Sequence, residues 1–538
     1  MLNISDDHVS IQALNGEGGS ARASESVGRH DRAFLDCLIS GGDERLDCDP
    51  VTGLNMYGHG PSPRPLDLAF GSSTASTISA AAFDVVGAYY DRLQRDLDIH
   101  PAADIYAREM ARMRADLLHL LGLDAGERRI DAVMATSGTD IHLFAASLLA
   151  RENDQTLMTI TLMGNETGSG VMAAAAGRHF MTRVSSERLV AKGEELSPGH
   201  ATRNTTVPAR HADGTLRSEE EVEQELRGLI ELARAAGLRC LLVVTDVSKT
   251  GLLAPGLETV FRLQARFGAM LDIMIDACQF RLSAATIRAY LDRGFLVALT
   301  GSKFLAGPIF SGALLCPPQW SARLKRKQLP AALADYCAKD DWPEGWTARE
   351  ALPRRANFGL LLRWKAALFE LERFAGLPQD KVRAVLSTFA GAVNARLKQD
   401  GAFEPLDTRV LDRMCLRPRS DATHWDDIPS IFSFYLRDPH RGGFLPAAET
   451  ADVYKALAME EPGVAPVRLG QPVRCADFGD MPASALRICL SAPLIVQASE
   501  SAEALDSLVS DAMAALDRTA HVAAQLACGP VAIHASGS

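Results

Sequence analysis

The sequence predicts an α/β protein: a large domain with a mostly parallel sheet flanked by helices, followed by a smaller α+β carboxyl-terminal domain. Through the first half of the chain, short apolar runs alternate with segments of helical periodicity, the pattern of parallel strands joined by crossover helices. Most of these runs end in a polar cluster, and ligands bind at the carboxyl edge of such sheets. Farther along, a helix and separate strand-like runs indicate the second unit.

Composition and charge exclude several classes of protein. The chain has 538 residues, 47% of them hydrophobic, and its net charge of −11 argues against nucleic acid or an anionic membrane as a partner. No apolar run reaches the roughly 18 residues that span a bilayer, and the first residues lack the pattern of a signal peptide. Ten scattered cysteines show no metal-ligand spacing. We therefore expect a cytoplasmic enzyme without a bound metal.

Shifts in composition divide the chain into five parts. The Ser- and Gly-rich start is expected to be disordered, and the Ala- and Gly-rich end carries no interpretable pattern. The five parts are a disordered segment 1–30, an amino-terminal arm and helix 31–100, the large domain 101–350, the small domain 351–517 and a tail 518–538.

Periodicity and capping residues place the elements along the chain. The predicted helices are 80–97, 106–123, 141–151, 219–236, 257–267, 284–293 and 381–397. The predicted strands are 132–135, 157–163, 241–244, 270–275, 295–299, 312–315, 431–436 and 485–491. The hydroxyl-rich stretch 71–77 either caps the first helix or contacts a ligand, and we favour capping. The charged, turn-rich stretch 183–222 is interpreted as an inserted surface loop.

Lys303 is the first candidate for chemistry. It follows the predicted strand 295–299 after a short polar turn, and a second apolar run begins at Gly312. Apolar neighbours would partly desolvate the amine and favour its neutral form. A neutral amine can form a Schiff base with an aldehyde cofactor. Taken alone, a lysine in a surface loop is the more common case, so the interpretation depends on the surrounding residues.

Asp276 and the turn at Ser137 are the residues that favour a cofactor site around Lys303. Asp276 ends a buried strand, and a buried carboxylate without a partner costs several kcal/mol. The ring nitrogen of pyridoxal phosphate (PLP) would be such a partner, since its protonation makes the ring an electron sink. Ser137-Gly138-Thr139 lies between a strand and a helix, where N–H groups, hydroxyls and the helix dipole can bind an anion. An ordinary helix cap would have the same geometry.

Together these motifs resemble the fold-type I PLP enzymes, in particular the class V aminotransferase and cysteine-desulfurase branch. The resemblance covers roughly residues 65 to 500, with the motifs in the family's order. The motifs are TSGTD at 136–140, DACQ at 276–279, TGSKFLAGP at 300–308 followed by SGALL, and LRICLS at 486–491.

The resemblance implies a role for each matched residue. Lys303 is similar to the Schiff-base lysine, Asp276 to the partner of the ring nitrogen, and Gln279 to the residue that hydrogen-bonds the ring O3′. Arg487 resembles the arginine that binds the substrate α-carboxylate, although an edge-strand arginine in a surface ion pair is the alternative. The implied cofactor-binding set is Ser137, Gly138 and Thr139 as the phosphate site, with Glu166, Ser248, Asp276, Gln279, Thr300, Ser302 and Lys303.

Three departures from the family pattern affect the expected cofactor contacts and the expected reaction. Thr167 follows Glu166 where the family has a histidine that stacks on the cofactor, and Ser302 replaces a common histidine before the lysine. Val473 stands where desulfurases carry their nucleophilic cysteine, and Cys475 is displaced by two positions. Arg474 would lower the pKa of a neighbouring thiol, but such a pairing is more often incidental. Sulfur transfer is therefore not the expected reaction.

The resemblance then implies a transferase, aminotransferase-like, that acts at the α-carbon of a small amino acid through a Schiff base at Lys303. The alternatives are a PLP-dependent lyase that cleaves a C–S or C–C bond, a decarboxylase, and a non-catalytic ligand sensor. Family members are usually homodimers, so we expect a homodimer in which 71–77 contributes to the neighbouring site.

Overall fold

A computed structural model describes residues 32–124, 129–150, 156–162, 165–197, 202–417 and 424–527. The predicted disordered segment 1–30 lies outside the described residues, as does the tail beyond residue 527. None of the described helices combines the length and the apolar character needed to cross a membrane.

The strands of the described residues are numbered in chain order. They are β1 Leu68–Ala69, β2 Asp131–Ala135, β3 Leu157–Leu162, β4 Arg203–Val207, β5 Arg239–Asp246, β6 Leu253–Ala254, β7 Leu271–Ala277, β8 Leu296–Thr300, β9 Gly312–Cys316, β10 Phe403–Pro405, β11 Ile431–Leu436, β12 Val467–Arg468, β13 Gly470–Phe478 and β14 Met481–Cys489.

The α-helices are numbered in the same way. They are α1 Arg32–Leu38, α2 Ala80–Leu97, α3 Ala102–Leu120, α4 Gly138–Leu149, α5 Val171–Ala175, α6 Glu219–Ala235, α7 Leu257–Phe267, α8 Ala284–Asp292, α9 Pro318–Leu324, α10 Phe358–Ala375, α11 Gln379–Gln399, α12 Ala447–Leu457, α13 Ala492–Ala498 and α14 Ala502–Ala527.

The large sheet has the order β2-β9-β8-β7-β5-β3-β4, with the short β6 paired to β5. Its neighbours from β8 to β4 pair in parallel, and β9 runs antiparallel to both β8 and β2. Ile273 and Ile275 of β7 belong to one hydrophobic cluster and Met274 to another, so the strand is covered on both faces. The predicted mostly parallel sheet with helices on both faces is confirmed.

The stretch 183–222 was predicted to be a surface loop, and this is wrong for part of it. Residues Arg203–Val207 form β4, which pairs in parallel with β3 at the edge of the large sheet. The strand reads Arg-Asn-Thr-Thr-Val, and only Val207 is buried. Because an edge strand has one open side, it tolerates polar side chains that obscure the apolar pattern of a strand.

The small domain is built on a four-stranded antiparallel sheet of order β10-β11-β14-β13. Helices α11 and α12 pack on this sheet, and α14 packs on α12. Helix α14 continues to Ala527, past the predicted end of the domain at 517, and buries Thr519 and Val522. The arm is tied to this domain because β1 pairs in parallel with β12.

A buried ion pair joins the large domain to the segment between β10 and β11 of the small one. Asp246, at the end of β5, and Arg413 are both fully buried. Arg413 Nε donates to Asp246 Oδ2 at 2.9 Å, and its Nη2 donates to Oδ1. The Tyr290 hydroxyl donates to the same carboxylate at 2.6 Å. The carboxylate is therefore fully compensated in the interior.

Candidate functional site

A cavity of about 240 Å³ lies at the carboxyl ends of β5, β7 and β8, where the small domain meets the large one. The register of the sheet aligns Asp276 of β7 with Thr245 of β5 and Ala298 of β8. The sheet thus brings separate polar strand ends to one place. The predicted site residues that line the cavity are Ser137, Gly138, Thr139, Glu166, Asp276, Gln279, Thr300, Ser302, Lys303 and Arg487.

Lys303 lies in the turn between β8 and β9 with its side chain in the cavity wall. The backbone of this turn is held in place, because the Lys303 carbonyl accepts hydrogen bonds from Ser76 Oγ and Ala306 N, both at 3.0 Å. Burial lowers the pKa of the Lys303 amine below its ordinary value, and the charges of Arg487 and Arg281 act in the same direction. The neutral amine is favoured as a result.

Asp276 is held as a charged carboxylate. Burial alone would raise its pKa, but hydrogen bonds from His142 and the Cys278 N–H, together with the charge of Lys303, lower that pKa far below its usual range. His142 Nε2 lies 3.2 Å from Asp276 Oδ2, and Cys278 N donates to Oδ1 at 3.1 Å. The carboxylate is therefore available to a cationic ring nitrogen at any ordinary pH. The sequence analysis did not identify His142, which lies on α4.

The residues predicted to bind an anion lie at the start of α4. Ser137 is the N-cap residue, and its hydroxyl accepts from Asp140 N at 3.3 Å. A Cβ on Gly138 would lie 2.9 Å from Cys278 Sγ and 3.1 Å from Thr300 Cγ2, so only glycine allows the helix to begin this close to β8. The helix cap is therefore present, and its geometry is also that of an anion site.

Arg45 lies next to this predicted anion site and was not identified from the sequence. It lies in the 3-10 turn Glu44–Leu46 of the arm and is 7% exposed. Its Nη1 and Nη2 atoms lie 3.4 Å and 3.3 Å from the hydroxyls of Thr139 and Ser137. The carboxylate of Asp43 accepts from Arg45 Nε and Nη2 at 2.8 and 2.6 Å. A fixed guanidinium therefore faces the N-terminus of α4.

Arg487 lies on β14, an inner strand of the small sheet, and is 1% exposed. The alternative of an edge-strand surface pair is therefore wrong. Its Nη2 donates to Thr74 Oγ1 at 2.9 Å and to the Gln471 carbonyl, and its Nη1 donates to the Lys249 carbonyl at 3.2 Å. All of these acceptors are uncharged, so the guanidinium keeps its charge free for an anion in the cavity.

The hydroxyl-rich stretch 71–77 contacts the cavity instead of capping a helix. The N-cap of α2 is Ser79, whose hydroxyl accepts from Ala82 N at 3.0 Å. Ser73 and Thr74 line the cavity of their own chain. The Ser73 carbonyl accepts from Gln279 Nε2 at 2.9 Å. The preference for capping was wrong, because the stretch ends too early to reach the helix N-terminus.

Ser248 does not line the cavity with the other predicted residues. The turn after β5 directs its hydroxyl inward, where it accepts from Thr250 N and Leu252 N and donates to Glu166 Oε2 at 2.8 Å. Glu166 also accepts from Arg210 Nε at 3.2 Å. Ser248 thus helps to hold the Glu166 carboxylate in place through this hydrogen bond.

Lys249, the next residue, reaches the cavity and was not predicted. Burial lowers its pKa to about 8, and the charges of Arg487 and Lys303 add to that shift. The only signal in the sequence was its position in a polar turn after a buried strand. Such turns deliver side chains to the ligand edge of the sheet.

Cys475 lies outside the cavity, whereas Val473 lines it. The thiol faces a neighbouring pocket, where burial and the charge of Glu166 raise its pKa to about 12. Arg474 forms its ion pair with Asp477 at 2.7 Å. A thiol with this pKa is a poor nucleophile at neutral pH, which agrees with the expectation against sulfur transfer.

The cavity contains buried polar atoms that the protein itself does not satisfy. Such atoms are costly and indicate a polar ligand or ordered water. Among the described residues, no group of three or more His, Cys, Asp or Glu side chains is placed to hold a metal ion. The unpartnered atoms of cavity-lining residues are His142 Nδ1, Thr167 Oγ1, Thr245 Oγ1, Gln279 Oε1 and Arg487 Nε.

No protein-family model matches the chain, and no curated protein matches it in sequence. Solved structures do match. The cystine C-S lyase C-DES, in complex with its product cysteine persulfide, is 15% identical with a TM-score of 0.52, over 84% of this chain and 97% of C-DES. The cysteine desulfurase CsdA from Escherichia coli is 14% identical with a TM-score of 0.50, over 84% and 95%.

A third match is TDC from Oryza sativa, solved with PLP. It is 14% identical with a TM-score of 0.50, over 89% of this chain and 86% of TDC. Identities this low establish the fold alone. The chain has the fold of the fold-type I PLP-dependent enzymes, as its motifs predicted.

Proposed function

We propose that this chain is a PLP-dependent enzyme that acts at the α-carbon of an amino acid, with an aminotransferase-like reaction. The observation that carries the proposal is the meeting of three groups in one cavity: the Lys303 amine, the Asp276 carboxylate and the anion site at Ser137. Each suits a different part of PLP, namely its aldehyde, its ring nitrogen and its phosphate. C-DES and TDC share the fold, and TDC was solved with PLP.

The described residues fit the cofactor in chemistry as well as in position. The α4 N-terminus, Ser137, Thr139 and Arg45 would hold the phosphate. Asp276, kept charged by His142, would hold the protonated ring nitrogen. When bound, PLP supplies the electron sink that makes a bond at the substrate α-carbon labile.

The remaining residues would orient the substrate and move its proton. Arg487 would bind the α-carboxylate through its guanidinium, which fixes how the α-carbon is presented. Lys303 would carry a proton to and from the α-carbon, and its lowered pKa favours the free amine that this work requires.

The products of a single turnover test the reaction type. Protein reconstituted with PLP is mixed with a panel of amino acids in the absence of an amino acceptor. Release of one equivalent of a 2-oxo acid per site, without ammonia, supports the aminotransferase-like reaction. Sulfide, ammonia or carbon dioxide would instead identify a lyase or a decarboxylase. Failure of the purified protein to acquire the visible absorption band of lysine-linked PLP would overturn the whole proposal.

Arg487 should determine substrate affinity. In the Arg487→Met variant we expect KM for the amino acid to rise about 10- to 100-fold, because hydrogen bonds to a charged group contribute about 1.5–3 kcal/mol. The exposed Arg474 provides the control, since Arg474→Met removes the same charge outside the cavity. Steady-state kinetics on both variants measure the difference. An unchanged KM in Arg487→Met would contradict the role of Arg487.

We further propose a homodimer. The fold-type I enzymes that the motifs resemble are usually homodimers, and the arm leaves Val51 and Leu66 exposed at 91% and 79%, where a second subunit could cover them. Sedimentation analysis tests this, and a fully active monomer would contradict it.

A further inference from the structure

The cavity holds more positive than negative groups. Arg45 is paired with the buried Asp43, and Glu166 is paired with Arg210, which lies outside the cavity lining. The charged residues that line the cavity are Arg45, Lys249, Lys303, Arg487, Glu166 and Asp276.

The proposed function assigns a role to every one of these cations except Lys249. Arg45 faces the phosphate site, Lys303 is the tether, and Arg487 faces the α-carboxylate. Lys249 remains. Within the described part of the chain it forms neither an ion pair nor a side-chain hydrogen bond, although its side chain lines the cavity. The nearest carboxylate, Glu166, already accepts hydrogen bonds from Arg210, Ser248 and Thr250. A largely desolvated ammonium without an ion-pair partner is costly, so the site favours a ligand that supplies an anion.

The backbone of Lys249 is fixed next to the α-carboxylate site. Its carbonyl accepts from Arg487 Nη1 at 3.2 Å, and its N–H donates to the Glu166 carbonyl at 3.0 Å. Burial and the charges of Arg487 and Lys303 lower the pKa of its amine, and Glu166 and Cys475 act in the opposite direction. Two cationic side chains therefore line neighbouring parts of the cavity, Lys249 from the large domain and Arg487 from the small domain.

We propose that Lys249 binds a second acidic group, carried on the side chain of the substrate, so that the enzyme selects acidic amino acids. This rests on the proposed function, and in particular on Arg487 as the site of the α-carboxylate. The ammonium would act as a point charge with three donors. A neutral side chain would leave that charge unpaired, so the site discriminates against neutral amino acids by the cost of the buried charge.

Two non-reactive acids of equal length provide the test. Succinate and butyrate differ by one carboxylate, and their affinities for the PLP-loaded enzyme are measured by calorimetry and by perturbation of the visible band. We expect Lys249→Met to weaken succinate binding about 10- to 100-fold, the range for a lost charged hydrogen bond. Butyrate binding should change less than about twofold. Lys249→Arg should retain most of the succinate preference, and Lys192→Met, in an exposed turn, should behave as the wild type.

The pH dependence gives a second readout. Lys249 binds an anion only in its charged form, and its pKa is lowered to about 8. Succinate affinity of the wild type should therefore fall as the pH rises through about 8, where Lys249 loses its charge. Lys249→Met should lack this fall.

The results distinguish failure of the inference about Lys249 from failure of the proposed function. If the visible band forms but wild type and Lys249→Met bind succinate equally, the inference about Lys249 is wrong and the proposed function stands. If Lys249→Met lowers kcat for acidic and neutral amino acids alike without changing the succinate preference, Lys249 is a proton carrier and the inference is also wrong. If the wild type never acquires the band, the proposed function fails, and the inference with it.

Discussion

Replacing Lys303 by alanine is expected to abolish the visible band and to lower kcat by at least about 10³-fold, since a positioned acid–base group alone contributes about 10²–10⁴. Under the proposed function, this amine would tether the cofactor and move the α-proton. Its side chain forms no hydrogen bond or ion pair within the described residues, so its loss should leave the fold intact. Absorbance spectra and single-turnover kinetics on the reconstituted variant measure both effects.

The control for this variant must separate the amine from the binding site around it. Lys303→Ala keeps Arg45, Ser137 and Asp276, and so should still bind PLP reversibly in equilibrium dialysis. Lys192→Ala removes an exposed lysine and should retain both the band and the rate. Undiminished turnover by Lys303→Ala would show that the amine at 303 is not part of the chemistry.

Replacing Arg413 by methionine should destabilise the protein by about 3–5 kcal/mol, the cost of leaving one charge of a buried pair without its partner. Asp246 and Arg413 are both 0% exposed as side chains. Methionine fills a similar volume, so the loss comes from the Asp246 carboxylate, whose remaining side-chain donor among the described residues is the Tyr290 hydroxyl. Denaturant unfolding followed by circular dichroism measures the change in the free energy of unfolding.

A double variant tests the physical cause. Arg413→Met with Asp246→Asn removes both charges of this pair, and Asp426 and Asp427 keep their ion pairs with Arg417, so we expect most of the lost stability to return. Arg437→Met is the matched exposed control, because the side chains of Arg437 and its partner Glu404 are 42% and 41% exposed and surface pairs contribute about 0–1 kcal/mol. Equal losses in the single and double variants would mean that packing, and not charge, accounts for the effect.

The site residues that could be predicted from the sequence are those that follow strands of the large sheet. Asp276 and Lys303 each follow a run of apolar residues, and such runs mark strand ends without any knowledge of tertiary contacts. Parallel pairing then places strand ends at one edge. The same local pattern failed at β4, whose polar edge strand resembles a loop in composition.

The parts that were missed depend on contacts that no local pattern records. Arg45 comes from an irregular arm and reaches Ser137 across the fold. Lys249 and Ser248 are neighbours in one turn, and only the direction of the backbone decides which side chain enters the cavity. Sequence similarity pointed to Ser248, whereas the hydrogen bonds of the turn direct that hydroxyl to Glu166.

The pairing of β1 with β12 has a consequence for how the protein matures during translation. Leu68 of β1 pairs with Val467 of β12, which is synthesised much later, and Arg487 is synthesised after both. Loop closure over such a separation is slow compared with the formation of local helices. We therefore expect a nascent chain to acquire its coenzyme only after the ribosome has released nearly all of it, so that truncated chains accumulate without the cofactor.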